Sequence, residues 1–301
     1  MNTPWSAEQV VTETLAKKLI EEEFPELKPV EVSLLGKGFD NTVYEVNKLY
    51  VFRFPRREIA VRLLEIEKQI LPKLASKVEM AIPVPVFFGN PSKDYKWMFL
   101  GYHKVAGETP SELSEVQRIS MAAPLAEFLK TVHDFPAEIA RKHGAEDDHF
   151  GRLDLKKRIP MLQANIDKLK QIHKGEISDK MQHYLDSLSK MESVSAEHLV
   201  HGDLHIRNIL IDKDGALSGI IDWGDTHIGD PAVDLSIVYS LLPPEARETF
   251  FGIYGEVTED TKELARFKAI YTHSVLMVYG YDLQDLALVQ SAETSIHLAL
   301  F

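Results

Sequence analysis

Cysteine is absent from all 301 residues. That excludes disulfides, thiolate metal sites and a cysteine nucleophile, and it suits a reducing compartment. Long apolar runs are missing too, and none approaches the ~20 residues that a membrane-spanning helix requires. The opening stretch Met1-Asn-Thr-Pro-Trp-Ser-Ala-Glu-Gln9 lacks the basic segment followed by an apolar one that marks a secretory leader. Both absences predict a soluble, cytoplasmic protein with no membrane partner. Basic charge is scarce, since 34 Lys and Arg stand against 46 Asp and Glu, for a formal net charge of -12. A phosphate backbone wants a basic face, so nucleic acid is disfavoured as a partner. The same acidity favours a cationic small molecule, although acidic surfaces also serve solubility alone. Internal repeats, low-complexity segments and the phosphate-loop pattern G-x-x-x-x-G-K-[ST] are not found.

What the chain does have is concentrated between residues 198 and 240. His201-Gly-Asp203-Leu-His-Ile-Arg-Asn208 sets a carboxylate and an amide five positions apart, and Ile221-Asp222-Trp-Gly224-Asp225 adds a second carboxylate a short hairpin later. The pattern agrees in order and in both gaps with the H-x-D-x-x-x-x-N loop and later Asp-x-Gly of phosphoryl-transfer enzymes. The chemistry asks for these residue types. A transferring phosphoryl group needs a hydroxyl held in line and charge neutralised, and magnesium takes an amide oxygen, a carboxylate and phosphate oxygens as ligands. Asp203 is then the group that orients and deprotonates the hydroxyl, with Asn208 and Asp222 holding Mg2+. A single Asp or Asn here would more simply cap a turn, but four residues in register outweigh that reading. Local pattern supports the placement: His198 to Val200 leads in, Ile209 to Ile211 and Leu217 to Ile221 read as strands, and Asp214-Gly215 reads as their turn.

The stretches Val200-His-Gly-Asp-Leu-His205, Asn208-Ile-Leu210, Gly219-Ile-Ile-Asp-Trp-Gly-Asp225 and Asp230-Pro-Ala-Val-Asp234 resemble the aminoglycoside phosphotransferase family. The family has a kinase-like fold and includes macrolide, choline and homoserine kinases. The resemblance implies an α+β, bilobal protein-kinase-like fold, with a small antiparallel-sheet N-lobe over residues 1–104 and a mainly helical C-lobe over 105–301. It implies that Asp234 braces the catalytic loop by hydrogen bonds, beside the simpler reading that Asp234 caps the following helix. His201 and His205 are spaced like helical zinc ligands, but no H-E-x-x-H accompanies them and they read as loop-orienting groups. Ser187-Leu-Ser-Lys190 fits S-x-x-K without a following K-T-G, so it supports no hydrolase.

Along the chain, Ser6-x-x-Gln9 has the form of a capping box opening a helix that runs to Phe24. Strands are expected over Val30 to Leu35, Thr42 to Val46 and Leu49 to Phe54, the last two joined by Asn47-Lys48, and again around Val84 to Phe88 and Trp97 to Tyr102. Arg57 to Ala75 reads as a helix containing Pro72. Gly36 and Gly38 fall between the first two strands, where backbone amides would cover nucleotide phosphates. Where kinases carry a phosphate-holding lysine on the third strand, this chain has Arg53, and the family position makes Glu67 its partner, with Glu65 as competitor. Phe99, Tyr102 and His103 lie in a segment, Met98 to Lys104, resembling the hinge whose backbone groups meet the nucleotide base. Asp225 is the best-placed carboxylate for a cationic acceptor, and Asp230, Asp282 and Asp285 are looser candidates. The expected activity is magnesium-dependent transfer of the γ-phosphoryl of ATP or GTP to a small-molecule hydroxyl, foremost of an aminoglycoside. A macrolide or another small alcohol is the alternative acceptor, and a catalytically silent nucleotide-binding protein of kinase-like fold is the alternative class.

Overall fold

The computed structural model describes residues 7–38, 40–172, 175–188 and 197–301. The chain divides into two compact units, Met1–Ala106 with Ile220–Thr226, and Gly107–Gly219 with His227–Phe301. This differs from the single break expected after residue 104: the segment carrying Asp222 packs with the first unit.

The first unit contains α1 (Glu13–Glu23), β1 (Val32–Lys37), β2 (Asn41–Val46), β3 (Tyr50–Pro55), α2 (Glu58–Ala75), β4 (Pro85–Gly89) and β5 (Phe99–His103). The strands form one antiparallel sheet in the order β1-β2-β3-β5-β4. Asn47 and Lys48 both adopt positive φ, at 52° and 59°, in the three-residue turn Asn47-Lys48-Leu49 that joins β2 to β3. That turn fixes the β2–β3 register, pairing Val43 with Arg53 and Val46 with Tyr50. One face of the sheet is closed by Phe24, Tyr44, Phe52, Phe54, Tyr95 and Phe99, with the Phe54 and Phe99 rings stacked at 4.7 Å. The first helix departs from expectation: it starts after Thr12, whose hydroxyl accepts the Leu15 amide at 3.2 Å. Ser6 of the expected capping box lies outside the described residues, and Gln9 precedes the helix.

Helix α2 buries Ala60, Leu64, Glu67, Leu71 and Leu74, spaced by three or four residues along one face. Glu67 therefore points inward with the apolar residues. Glu65 falls off that face, is exposed and pairs with Lys68 at 3.7 Å.

The second unit contains α3 (Glu115–Ser120), α4 (Ala122–His133), α5 (Ala137–Lys142), α6 (Leu155–Gln171), α7 (Gly175–Ser187), β6 (His198–Val200), β7 (Ile209–Ile211), β8 (Leu217–Ile220), whose last residue is already in the first unit, β9 (His227–Gly229), α8 (Ala232–Leu241), α9 (Pro244–Tyr254), α10 (Glu259–Leu283) and α11 (Leu286–Ala299). Helix α8 is buried on every side and mainly apolar, with Asp234, Ser236 and Ser240 as its buried polar members, and α10 and α11 both pack on it. The β7–β8 hairpin turns at Gly215, φ 81°, with the Asp212 carboxylate accepting the Asp214 and Ala216 amides at 2.9 and 3.0 Å. Strands β6 and β9 pair antiparallel, Leu199 opposite Ile228. Among the described residues no helix is long and apolar enough to cross a membrane. The Ser189 and Lys190 of the S-x-x-K segment lie outside the described residues.

Candidate active site

The expected site residues fall into two clusters, one in each unit. In the first unit, the strand alternation of β3 turns Arg53 away from the core that Phe52 and Phe54 enter. One terminal nitrogen of its guanidinium reaches both Glu67 oxygens, at 2.9 and 3.1 Å, and the other donates to Asp222 Oδ1 at 3.1 Å. Tyr102 donates its hydroxyl to the Glu67 carboxylate at 2.9 Å. Burial alone would depress the Arg53 pKa, but the Glu67 and Asp222 carboxylates overturn that and raise it. Burial lifts Glu67 in turn, opposed chiefly by Arg53 and by the Tyr102 hydroxyl. Asp222 sits at φ 64°, a left-handed conformation that Asp tolerates better than most residues, and its side chain is 54% exposed.

Gly224 completes this cluster. A Cβ on it would stand 3.2 Å from an Arg53 terminal nitrogen and 3.6 Å from Asp222 Oδ1, so the backbone is pressed against the guanidinium. Sequence reasoning had a motif for Gly224 but no reason for it. In the hinge-like segment the Tyr102 ring is buried and its hydroxyl serves Glu67, while Phe99 is 1% exposed inside the aromatic core. Strand β5 is hydrogen-bonded to neighbours on both sides. His103, at the strand end, is the exposed member of the three. In the glycine hairpin, a side chain at Gly36 would meet nothing within 4 Å, whereas the Gly38 amide is used by the Asn41 carbonyl at 3.0 Å. Asp225 is exposed.

In the second unit, Asp234 is fully buried and accepts the backbone amides of His201 at 2.6 Å and Gly202 at 2.9 Å, and it meets His133 Nε2 at 3.2 Å. Loop bracing is thus its role, and the helix-capping alternative passes to Asp230, which accepts the Ala232 amide at 2.9 Å. Gly202 has φ 89°, which lets the chain present two successive amides to one carboxylate. Buried His201 accepts the Asp203 amide at Nδ1, 3.3 Å away. His205 takes the Arg207 amide at Nδ1 and brings Nε2 to 3.4 Å from Asp203 Oδ2. Burial would raise the Asp203 pKa, yet His205, Lys268 and His201 together lower it to about 2. A carboxylate that acidic is ionised around neutral pH and acts as a weak base.

Asn208 donates its side-chain amide to the Asp203 carbonyl at 2.8 Å, which leaves its oxygen as the end able to meet a cation. Asn208 in the second unit thus offers an amide oxygen and Asp222 in the first a half-exposed carboxylate, each a hard oxygen donor of the kind magnesium takes. The looser acceptor candidates are otherwise engaged. Asp282 holds Lys168 at 2.9 Å, and Asp285 caps α11 through the Leu288 amide at 3.0 Å.

A family model described as the phosphotransferase enzyme family matches residues 31–269. The chain is 23% identical over 262 residues to the uncharacterized protein YcbJ of Bacillus subtilis strain 168, covering 83% of this chain and 81% of that protein. Among solved structures, the GDP complex of wild-type aminoglycoside 2'-phosphotransferase-IIIa superposes with a TM-score of 0.69 at 24% identity, over 96% of this chain and 99% of that one. Macrolide 2'-phosphotransferase type I gives 0.56 at 19% identity, over 95% and 97%. These likenesses show the fold to be kinase-like, an antiparallel N-terminal sheet followed by a mainly helical remainder.

Proposed function

The chain belongs to the phosphotransferase enzyme family, and from that premise we propose that it moves the γ-phosphoryl of ATP or GTP to a hydroxyl of a small molecule. The observation that carries this reading is the catalytic loop, in which a buried Asp234 ties two successive amides and an ionised Asp203 stands two residues past the first of them. In the transfer, the acceptor oxygen bonds to the γ-phosphorus as the bond to the bridging oxygen breaks. The electron pair leaves with the nucleoside diphosphate, and the hydroxyl proton passes to Asp203. A weak base suffices because the transition state is loose and the proton leaves late.

Asn208 and Asp222 would hold Mg2+, which supplies charge neutralisation at the phosphates when bound. Arg53 would orient the phosphates, kept in place by Glu67, as a forked cation can do and a point charge does less well. Gly36 and His103 would lie along the nucleotide through backbone groups.

The test uses the full chain with Mg2+, ATP or GTP and a panel of hydroxyl compounds. Nucleoside diphosphate release that requires Mg2+, rises with an acceptor and disappears in Asp203→Asn is expected. Nucleotide binding with no turnover under any condition would assign the silent class instead.

A further inference from the structure

His133 is the last residue of α4, and three of its polar atoms meet three different elements. Its carbonyl accepts the Nδ1–H of His198, on β6, at 2.9 Å. Its ring Nε2 stands 3.2 Å from Asp234 Oδ2 on α8, and its ring Nδ1 stands 2.7 Å from the hydroxyl of Tyr254, the last residue of α9. The His133 side chain is 3% exposed and that of Asp234 is fully buried, so water does not compete for the contact between them.

The partners fix what each ring nitrogen does. Burial works to raise the Asp234 pKa, but the hydrogen bond and charge of His133 hold it below its ordinary value, so the carboxylate is ionised near neutral pH. An ionised carboxylate only accepts, so Nε2 carries a hydrogen and donates it. Burial, with the negative charge of Asp234, pushes the Tyr254 phenol up, so its hydroxyl keeps its hydrogen. That hydroxyl serves Nδ1 in either state of the ring, donating to a bare nitrogen or accepting from a protonated one. It is itself held in place, because the Tyr254 ring stacks on buried Phe250 with centroids 5.7 Å apart and α9 packs on α4. A fixed hydroxyl at Nδ1 keeps the imidazole from turning over and presenting Cε1 to the carboxylate in place of Nε2.

The contact bears on the catalytic loop. Asp234 Oδ2 takes the His201 amide as well as His133, and Oδ1 takes the Gly202 amide. With the ring turned over, Oδ2 would keep the His201 amide alone, and the carboxylate would be free to rotate and carry two successive amides with it. We propose that Tyr254 and His133 are positioning residues for phosphoryl transfer: the hydroxyl fixes the imidazole, and the imidazole Nε2–H fixes the carboxylate that sets the His201 and Gly202 amides. The inference rests on the phosphotransferase reading and extends the support of the loop to helix α9.

Two measurements on the full chain test it. Proton NMR of 15N-labelled protein at neutral pH is expected to show a His133 Nε2–H resonance protected from exchange, identified by its loss in His133→Gln, and Tyr254→Phe is expected to lose it. Steady-state transfer with Mg2+, ATP or GTP and the best acceptor of a hydroxyl panel should show kcat about tenfold lower in Tyr254→Phe, with both KM values within about twofold. Glutamine keeps an N–H for Asp234 and has no ring to hold. His133→Gln should therefore retain most of kcat, His133→Leu should not, and Tyr254→Phe should cost less than about twofold in the His133→Gln background. A merely structural tyrosine would cost the same in both backgrounds, and that result overturns the proposal. So does a parent without a protected Nε2–H, or a Tyr254→Phe protein that keeps either the resonance or the parent kcat. If His133→Gln does not fold, His133→Leu identifies the resonance and Tyr254→Phe decides by resonance and kcat together. A parent with no turnover at all would sink the phosphotransferase reading and this inference with it. That is told apart from failure of this inference alone, in which the parent turns over and Tyr254→Phe matches it.

Discussion

The Arg53 guanidinium donates to the Asp222 carboxylate at 3.1 Å across 169 positions of sequence, while its other terminal nitrogen holds Glu67. One side chain thus ties the candidate phosphate cation to a candidate metal carboxylate and to a buried acid. Arg53→Ala leaves Glu67, whose side chain is 1% exposed, with the Tyr102 hydroxyl as its remaining partner described here. Breaking a buried pair on one side costs about 3–5 kcal/mol. The variant should therefore lower Tm by at least ~5 °C and raise the nucleotide KM about tenfold or more. Arg53→Lys keeps the charge and should lose less on both. Thermal melts and nucleotide kinetics check this, and unchanged values in both variants would move the phosphate role elsewhere.

Asp222 combines a left-handed backbone with the proposed metal role, and two substitutions separate them. Asparagine tolerates φ 64° and keeps the shape. Asp222→Asn should fold with a Tm close to the parent yet fall below about one-hundredth of its kcat/KM at saturating Mg2+. Asp222→Ala should lose activity and some stability, because alanine pays a cost of about 1–2 kcal/mol at that φ. Activity kept by a folded Asp222→Asn protein would sink the metal assignment.

Acid sensitivity should trace to Asp234. Burial works to raise its pKa, but the hydrogen bond and charge of His133, with the Gly202 amide, hold it below the ordinary 3.8. A carboxylate depressed in the folded state gives its full stability above 3.8, and that stability is lost as the pH falls through the lower folded value. Asp234→Asn should be clearly less stable than the parent at pH 7, and the gap should narrow at a pH below 3.8. Urea melts at both values test it; a gap of constant size would remove Asp234 as the titrating brace.

Much of this arrangement was legible because it is written in local pattern. Asn47-Lys48 between two β-branched and aromatic runs announced the β2–β3 turn, and family position, rather than any helix period, named Glu67 ahead of Glu65. The catalytic loop was legible as four residues in register, and bracing by Asp234 followed from the family position. Other features depend on neighbours distant in sequence. The Ser6-x-x-Gln9 motif was legible, but the helix begins after Thr12, whose hydroxyl caps it. Strand β9 has three residues, too few to show a period, and exists because β6 pairs with it. Tyr102 lies in a segment named only for its backbone, and only the fold brings its hydroxyl to Glu67. Lys268 sits on a helix rich in charged residues and looks in sequence like any solvated lysine.

Gly224 provides the most local test of the guanidinium's position. An added methyl would lie 3.2 Å from Arg53, 3.6 Å from Asp222 and 3.9 Å from Glu67, so the guanidinium must move by a few tenths of an ångström to admit it. Small displacements at a phosphate-orienting group are costly because transfer depends on alignment. Gly224→Ala should raise the nucleotide KM about three- to tenfold, and Gly224→Val, with a second branch, should do so further. Generic effects of removing a glycine are controlled by Gly252→Ala in helix α9, where nothing lies within 4 Å and alanine should stabilise by up to ~1 kcal/mol. Measuring nucleotide KM in the three variants decides the matter. If Gly224→Ala behaves like Gly252→Ala, the close approach to Arg53 plays no part in nucleotide binding.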